Sequence, residues 1–115
     1  MIDFACKKFD LDDIMKCGLG LTKAEFEIMK FFVHNRDKKL TSADLSESLE
    51  LNLTTIQKAV KKLSEKNIVK RYQKNLDGGG YIYLYQCNSK KNIRDILKSI
   101  IRNWSKVVED KINEW

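Results

Sequence analysis

Residues 51–85 restrict what this chain can fold into more than any other stretch. Leu51-Asn52-Leu53-Thr54-Thr55-Ile56-Gln57-Lys58-Ala59-Val60-Lys61-Lys62-Leu63 places Ile56, Ala59, Val60 and Leu63 on one stripe at helical spacing, with Thr54, Thr55, Gln57, Lys58, Lys61 and Lys62 outside it. After Ser64-Glu65-Lys66 comes Asn67, a residue that tolerates the left-handed backbone a chain needs to leave a helix sharply. A strand-like run from Ile68 to Asn75, the turn Asp77-Gly78-Gly79-Gly80 and the run Tyr81 to Cys87 then predict a hairpin. A polar, basic helix narrow enough for a major groove, with a β-hairpin beside it, is one standard way to hold duplex DNA.

The charge lies in the same place. Residues 1–53 hold 8 Lys/Arg against 10 Asp/Glu, residues 54–75 hold 7 against Glu65 alone, and residues 76–115 hold 7 against 5. The net charge of +6 therefore belongs to the helix and the first hairpin strand. Lysine-rich faces are often only solvated surface. One confined to a single helix and joined to a hairpin favours phosphate neutralisation.

Other chemistry is thinly represented. The cysteines, Cys6, Cys17 and Cys87, are widely separated, and His34 is the single histidine. A structural zinc site needs four close ligands and a catalytic one three, so no metal and no cofactor is expected. The cysteines read as buried or half-buried thiols of a reducing compartment. His34 falls near a helix end, where a cap or surface role suits it. The glycine run lies between two strands, so it is a turn and not a phosphate-cradling loop. No enzyme signature is present. No apolar run is long enough to cross a bilayer, and the first residues lack the order of a signal peptide, so a cytoplasmic protein without membrane contact is expected.

The remaining segments can be read from their caps. Residues 1–9 form a mixed lead-in with Phe4 and Phe9 to bury. Asp10 can cap a short helix over Leu11–Cys17, ended by Gly18 and Gly20. Thr22 and Glu25 form a capping box for a helix running to about Asn35, with Phe26, Ile28, Met29, Phe31, Phe32 and Val33 giving it a wide apolar face. Leu40-Thr41 can add a minimal strand. Thr41 or Ser42 caps a helix to about Leu49, and Asn52 caps the basic helix. In the hairpin, Tyr81, Tyr83 and Tyr85 fall on one face and Ile82 and Leu84 on the other, so a further segment is expected to cover the second face.

That segment is expected to be the tail. From Ser89, Ile93, Leu97, Ile100, Trp104 and Val107 recur at spacings of 4, 3, 4 and 3, with Val108, Ile112 and Trp115 continuing after a slip. A helix of about 26 residues spans roughly 39 Å, more than one small domain can cover. Either the stripe packs back on its own core, as its first half should, or it forms a seam with a second copy. Two exposed tryptophans favour homodimerisation through Ile93, Leu97, Ile100, Trp104, Val107, Val108, Ile112 and Trp115, with the N-terminal segment as an optional addition.

The order helix, helix, helix-turn-helix, hairpin, long helix is that of a winged helix-turn-helix protein, a mostly α (α+β) fold with a two-stranded wing. Gly20-Leu21-Thr22-Lys23-Ala24-Glu25 resembles the "GLT-x-x-E" start of archaeal TrmB-like and MarR-like transcriptional regulators. Leu63-Ser64-Glu65-Lys66-Asn67-Ile68-Val69 resembles their "L-x-x-K-G-L-V" exit from the recognition helix, with Asn67 in place of Gly, and Gly80-Tyr81-Ile82-Tyr83-Leu84-Tyr85 resembles their wing return strand. The resemblance covers about residues 10–115 and implies an N-terminal segment over 1–17, a DNA-binding domain over 18–88 and a dimerisation helix over 89–115. It implies that Thr54, Thr55, Gln57, Lys58, Lys61 and Lys62 face bases and phosphates from a recognition helix over about 53–66, and that Arg71, Lys74 and Asn75 are wing contacts. The wing tip has no Arg, which many such wings place in the minor groove. With no sensing domain in view, any small-molecule effector is expected to bind in the dimer itself or to be absent. The expected function is a homodimeric, sequence-specific regulator on double-stranded DNA. The alternatives are a TFE-like protein-docking winged helix and a non-specific chromatin-type binder.

Overall fold

The computed structural model describes residues 1–5 and 7–115, so Cys6 lies outside the described residues. These residues form an α+β fold of five helices and two two-stranded antiparallel hairpins. In chain order the elements are β1 (Ile2–Phe4), β2 (Lys7–Phe9), α1 (Leu11–Gly18), α2 (Lys23–His34), α3 (Ser42–Leu49), α4 (Leu53–Glu65), β3 (Val69–Asn75), β4 (Tyr81–Cys87) and α5 (Lys90–Glu114).

Local chemistry sets most of the boundaries. The Thr22 hydroxyl accepts from the Glu25 N–H at 3.2 Å while the Glu25 carboxylate accepts from the Thr22 N–H at 2.8 Å, closing a full capping box at the start of α2. Thr41, not Ser42, caps α3, because Asp44 stands three residues on and completes a second box. The Asn52 side chain accepts from the Thr55 N–H at 2.8 Å and starts α4. Asn67 takes a left-handed backbone, φ +62°, as the exit from α4 requires. Leu40 exchanges two backbone hydrogen bonds with Tyr85, which ties the loop after α2 to the wing as a one-residue strand.

The core lies where α2, α3 and α4 meet, closed by the base of the wing. Leu19, Ile28, Phe32, Leu45, Ile56, Ala59, Leu63 and Ile68 are fully buried there. Ala59 has no side chain beyond Cβ, so α4 can come close to its neighbours. On the wing the tyrosine face is the one that meets the core: Tyr85 is buried, and Tyr83 and Cys87 pack partly against it.

Four expectations are corrected. Residues 1–9 are not an irregular lead-in: β1 and β2 pair with Ile2 opposite Phe9, and Phe4 is 70% exposed instead of buried. Cys17 is exposed, because it falls on the outer side of α1; Cys87 is half-buried as expected. The tail does not cover the second face of the wing. α5 lies along α1 and reaches the core through Ile93, Ile96, Leu97 and Ile100, leaving Ile82 and Leu84 half-buried. Ile93 is 8% exposed within its own chain, so the first turn of α5 belongs to the core and is not free to meet a second copy.

Candidate nucleic-acid interface

α4 presents a graded outer surface. Thr54, Gln57, Lys58 and Lys61 are exposed, and Thr54, Lys58 and Lys61 follow each other at spacings of four and three, one row along the side opposite the core stripe. Thr55 and Lys62 lie on a flank and are half-buried. The helix is held from below by Ile56, Ala59, Val60 and Leu63, so the exposed row faces away from the core. No acid stands in its first turn. The positive dipole end of α4 therefore meets no carboxylate from its own first turn.

Lys62 differs from the sequence expectation. Its ammonium sits 3.0 Å from the Glu25 carboxylate and also donates to the Gly20 carbonyl. It is turned toward the junction of α1 and α2 and away from the outer row. The physical reason is position: residue 62 follows the buried Ala59 by three and precedes the buried Leu63 by one, so its stem leaves the helix beside the core stripe. Glu25 was legible as a cap but not as a partner for a lysine 37 residues away.

The electrostatics follow from that contact. Burial alone would raise the Glu25 carboxyl, but the Thr22 N–H and the Lys62 ammonium together hold it below its ordinary 4.5. A carboxyl depressed on folding adds stability that is complete above the unfolded value and disappears as the pH falls through the folded one. Thermal melts from pH 7 to pH 3 should therefore show the parent protein above Glu25→Gln at neutral pH. The two should converge below the ordinary 4.5 of the carboxyl. Parallel curves across that range would show that the pair contributes nothing to stability.

The wing distributes its residues over two faces. Arg71 and Asn75 share a face with Gln73, while Lys74 lies on the opposite face with Lys70 and Tyr72. The Arg71 guanidinium stacks 4.3 Å from the Tyr83 ring centre, and Asn75 accepts from the Gln73 amide at 3.3 Å. On the other face the Lys39 ammonium stands 4.4 Å over the Tyr72 ring, adding a cation from the loop before α3. The three wing residues expected to act together are thus not on one surface. Lys39 and Lys70, which the sequence reading did not single out, accompany Lys74. The pairing of Lys39 with Tyr72 depends on the fold of the 36–40 loop, which carries no local signal for it.

Asn88 was also missed. It is 7% exposed. Its amide N–H donates to the Asn67 carbonyl at 2.8 Å, and its carbonyl accepts from the Ser89 N–H at 2.8 Å and the Asn92 amide at 3.0 Å. It joins the exit of α4 to the start of α5, and a buried amide with all these partners is costly to replace. An Asn directly before the Ser89 cap was the only hint in the sequence.

His34 is a surface residue whose Nδ1 lies 2.8 Å from the Lys30 carbonyl, the helix-end role expected of it. Burial pushes the Cys87 thiol up, with Arg36 opposing, so little thiolate is present near neutral pH. Among the described residues no cluster of His, Cys, Asp or Glu could hold a metal ion, and no helix is long and apolar enough to cross a membrane.

The far half of α5 is the other open surface. Beyond Ile100 every residue is exposed, including Ile101, Trp104 (61%), Val107, Val108, Ile112 and Trp115. The 25-residue helix, about 37 Å at 1.5 Å per residue, makes the molecule 62 Å long and about 25 Å across.

The trihelical core, the two-stranded wing packed beside α4 and the long final helix define a winged helix-turn-helix protein. Solved structures agree. A possible transcriptional regulator from Methanosarcina mazei Go1 superposes with a TM-score of 0.93 at 47% identity, over 100% of this chain and 96% of that one. The MepR–DNA complex of S. aureus shares the fold, with a TM-score of 0.57 at 16% identity over 88% of this chain and 81% of that one. An uncharacterized protein of Methanocaldococcus jannaschii is 26% identical over 95% of this chain and 81% of its own length. The chain belongs to the DnaD N-terminal domain family, whose model matches residues 9–108.

Proposed function

We propose that this protein is a homodimeric transcriptional regulator that binds double-stranded DNA with α4 in the major groove, in the manner of TrmB-like and MarR-like regulators. The observation that carries the reading is the exposed row of Thr54, Lys58 and Lys61 with Gln57 beside it, on a helix whose opposite side is buried in the core. Hydroxyls and an amide suit the donor and acceptor pattern of base edges, and the lysines suit phosphates. Residues 18–88 form the DNA-binding unit and residues 89–115 the dimerisation helix. Lys74, with Lys39 and Lys70, supplies wing contacts to the backbone; Arg71 and Asn75 act from the other face. Thr55 has a smaller part than Thr54, since it is half-buried. The possible regulator of M. mazei and the DNA-bound MepR support the reading through their shared architecture.

The test is duplex binding measured by fluorescence anisotropy between 50 and 200 mM salt. The expected result is an affinity that falls linearly on logarithmic axes, and a preferred site that is an inverted repeat with half-site centres about 10 bp apart or a multiple of it. No duplex binding at the lowest salt would reject the reading in favour of a protein-docking winged helix.

A further inference from the structure

Lys62 is the one lysine of α4 whose ammonium is engaged inside the molecule, and the way it is held has a consequence for the others. Its side chain is 33% exposed and that of Glu25 14%, so the pair is largely withdrawn from solvent. One carboxylate oxygen of Glu25 accepts both the Thr22 N–H at 2.8 Å and the Lys62 ammonium at 3.0 Å. The ammonium donates as well to the carbonyl of Gly20, whose φ of +65° belongs to the turn between α1 and α2. Two acceptors at the entry to α2, one of them itself held by the Thr22 N–H, therefore meet one group on the flank of α4. The core contacts of α4 are apolar and centred on Ala59, so they set the distance between helices more firmly than the rotation of α4 about its axis. A directional, charge-assisted contact on the flank sets the rotation.

We infer that the Glu25–Lys62–Gly20 contact is a positioning latch that fixes the rotation of α4, so that Lys62 serves DNA binding by aiming Lys58 and Lys61 and not by touching phosphate. This rests on the groove-binding reading proposed above. The latch and a direct phosphate contact predict opposite signs for one substitution. Glu25→Gln keeps an acceptor for the Thr22 N–H, so the cap survives, but removes the charge that holds Lys62. If Lys62 were a phosphate contact held back by Glu25, this change would free a cation, remove an anion and tighten DNA binding. If the pair is a latch, the same change weakens binding.

The experiment measures duplex affinity and its salt dependence for the full chain and for Glu25→Gln, Lys62→Met, the double variant and Lys61→Ala, with circular dichroism and thermal melts confirming the folded fraction. Lys62→Met keeps the aliphatic stem, so it serves if Glu25→Gln does not fold. The expected result is a loss of roughly 3- to 30-fold for each latch variant, with an unchanged salt slope and with no further loss in the double variant. Lys61→Ala should instead flatten the slope by about one per subunit. Tighter binding by Glu25→Gln, or a slope flattened by Lys62→Met as by Lys61→Ala, overturns the latch. If Lys61→Ala also leaves affinity untouched, the groove assignment fails and the latch with it.

Discussion

Replacing Lys58 and Lys61 together by alanine is expected to lower duplex affinity by nearly four orders of magnitude near 0.1 M salt. The estimate follows from counterion release. Each phosphate neutralised on B-DNA contributes about 0.9 to the logarithmic salt slope, close to tenfold in affinity at 0.1 M, and a two-fold dimer presents about four such lysines. Both side chains are exposed on the side of α4 away from the core, so the variant should fold as the parent does. The salt slope should flatten by about four at the same time. Gln57→Ala provides the contrast: it should cost about 1–3 kcal/mol on the preferred site and little on random sequence, because an amide reading a base edge carries specificity and no counterion term. An unchanged affinity in a folded Lys58/Lys61 double variant would remove α4 from the groove. The outer end of the wing, where Tyr81 is 54% exposed, would then become the contact surface, for a protein partner.

What the sequence revealed and what it concealed divide along one physical line. The starts of α2 and α4 could be read because a cap is decided by residues three positions apart: Thr22 with Glu25 and Asn52 with the Thr55 N–H. The exit at Asn67 and the strand Tyr81–Cys87 were equally local, one a backbone preference and the other a period of two. The outer surface of α4 was legible for the same reason, since helical spacing alone separates Lys58 and Lys61 from the core stripe. Lys62 was not, because its direction is decided by Glu25 and Gly20, which only the fold brings near. Arg71 on Tyr83, Lys39 on Tyr72 and Asn88 on Asn67 are of the same kind. The N-terminal hairpin was missed for another reason: three-residue strands are too short for a periodic signal.

Trp104→Lys is expected to convert a dimer of about twice 13.5 kDa into a monomer with its secondary structure intact. Sequence alone left two outcomes open for this substitution, unfolding or dissociation. The structure discriminates between them through burial. Trp104 is 61% exposed on the outer half of α5 and is not part of the buried core, so a lysine there disturbs no core contact. Ile93→Lys, by contrast, should unfold the domain, because Ile93 is 8% exposed within the chain's own core. In a two-fold interface each residue acts twice, and an anchoring tryptophan is worth about 2 kcal/mol or more, so the pair should shift the dimer equilibrium by roughly a thousandfold. Sedimentation equilibrium at micromolar concentration separates the cases. A parent protein that is monomeric there would reject the seam formed by Trp104, Val107, Val108, Ile112 and Trp115. A Trp104→Lys variant that stays dimeric would move the interface to the apolar groove between α1 and α5, lined by Leu11, Met15, Leu97 and Ile101. Loss of the dimer should also weaken DNA binding, since one half-site then has to hold the protein alone. The same variant therefore tests both surfaces: if the far half of α5 pairs two copies, losing it halves the number of α4 helices offered to the duplex at once.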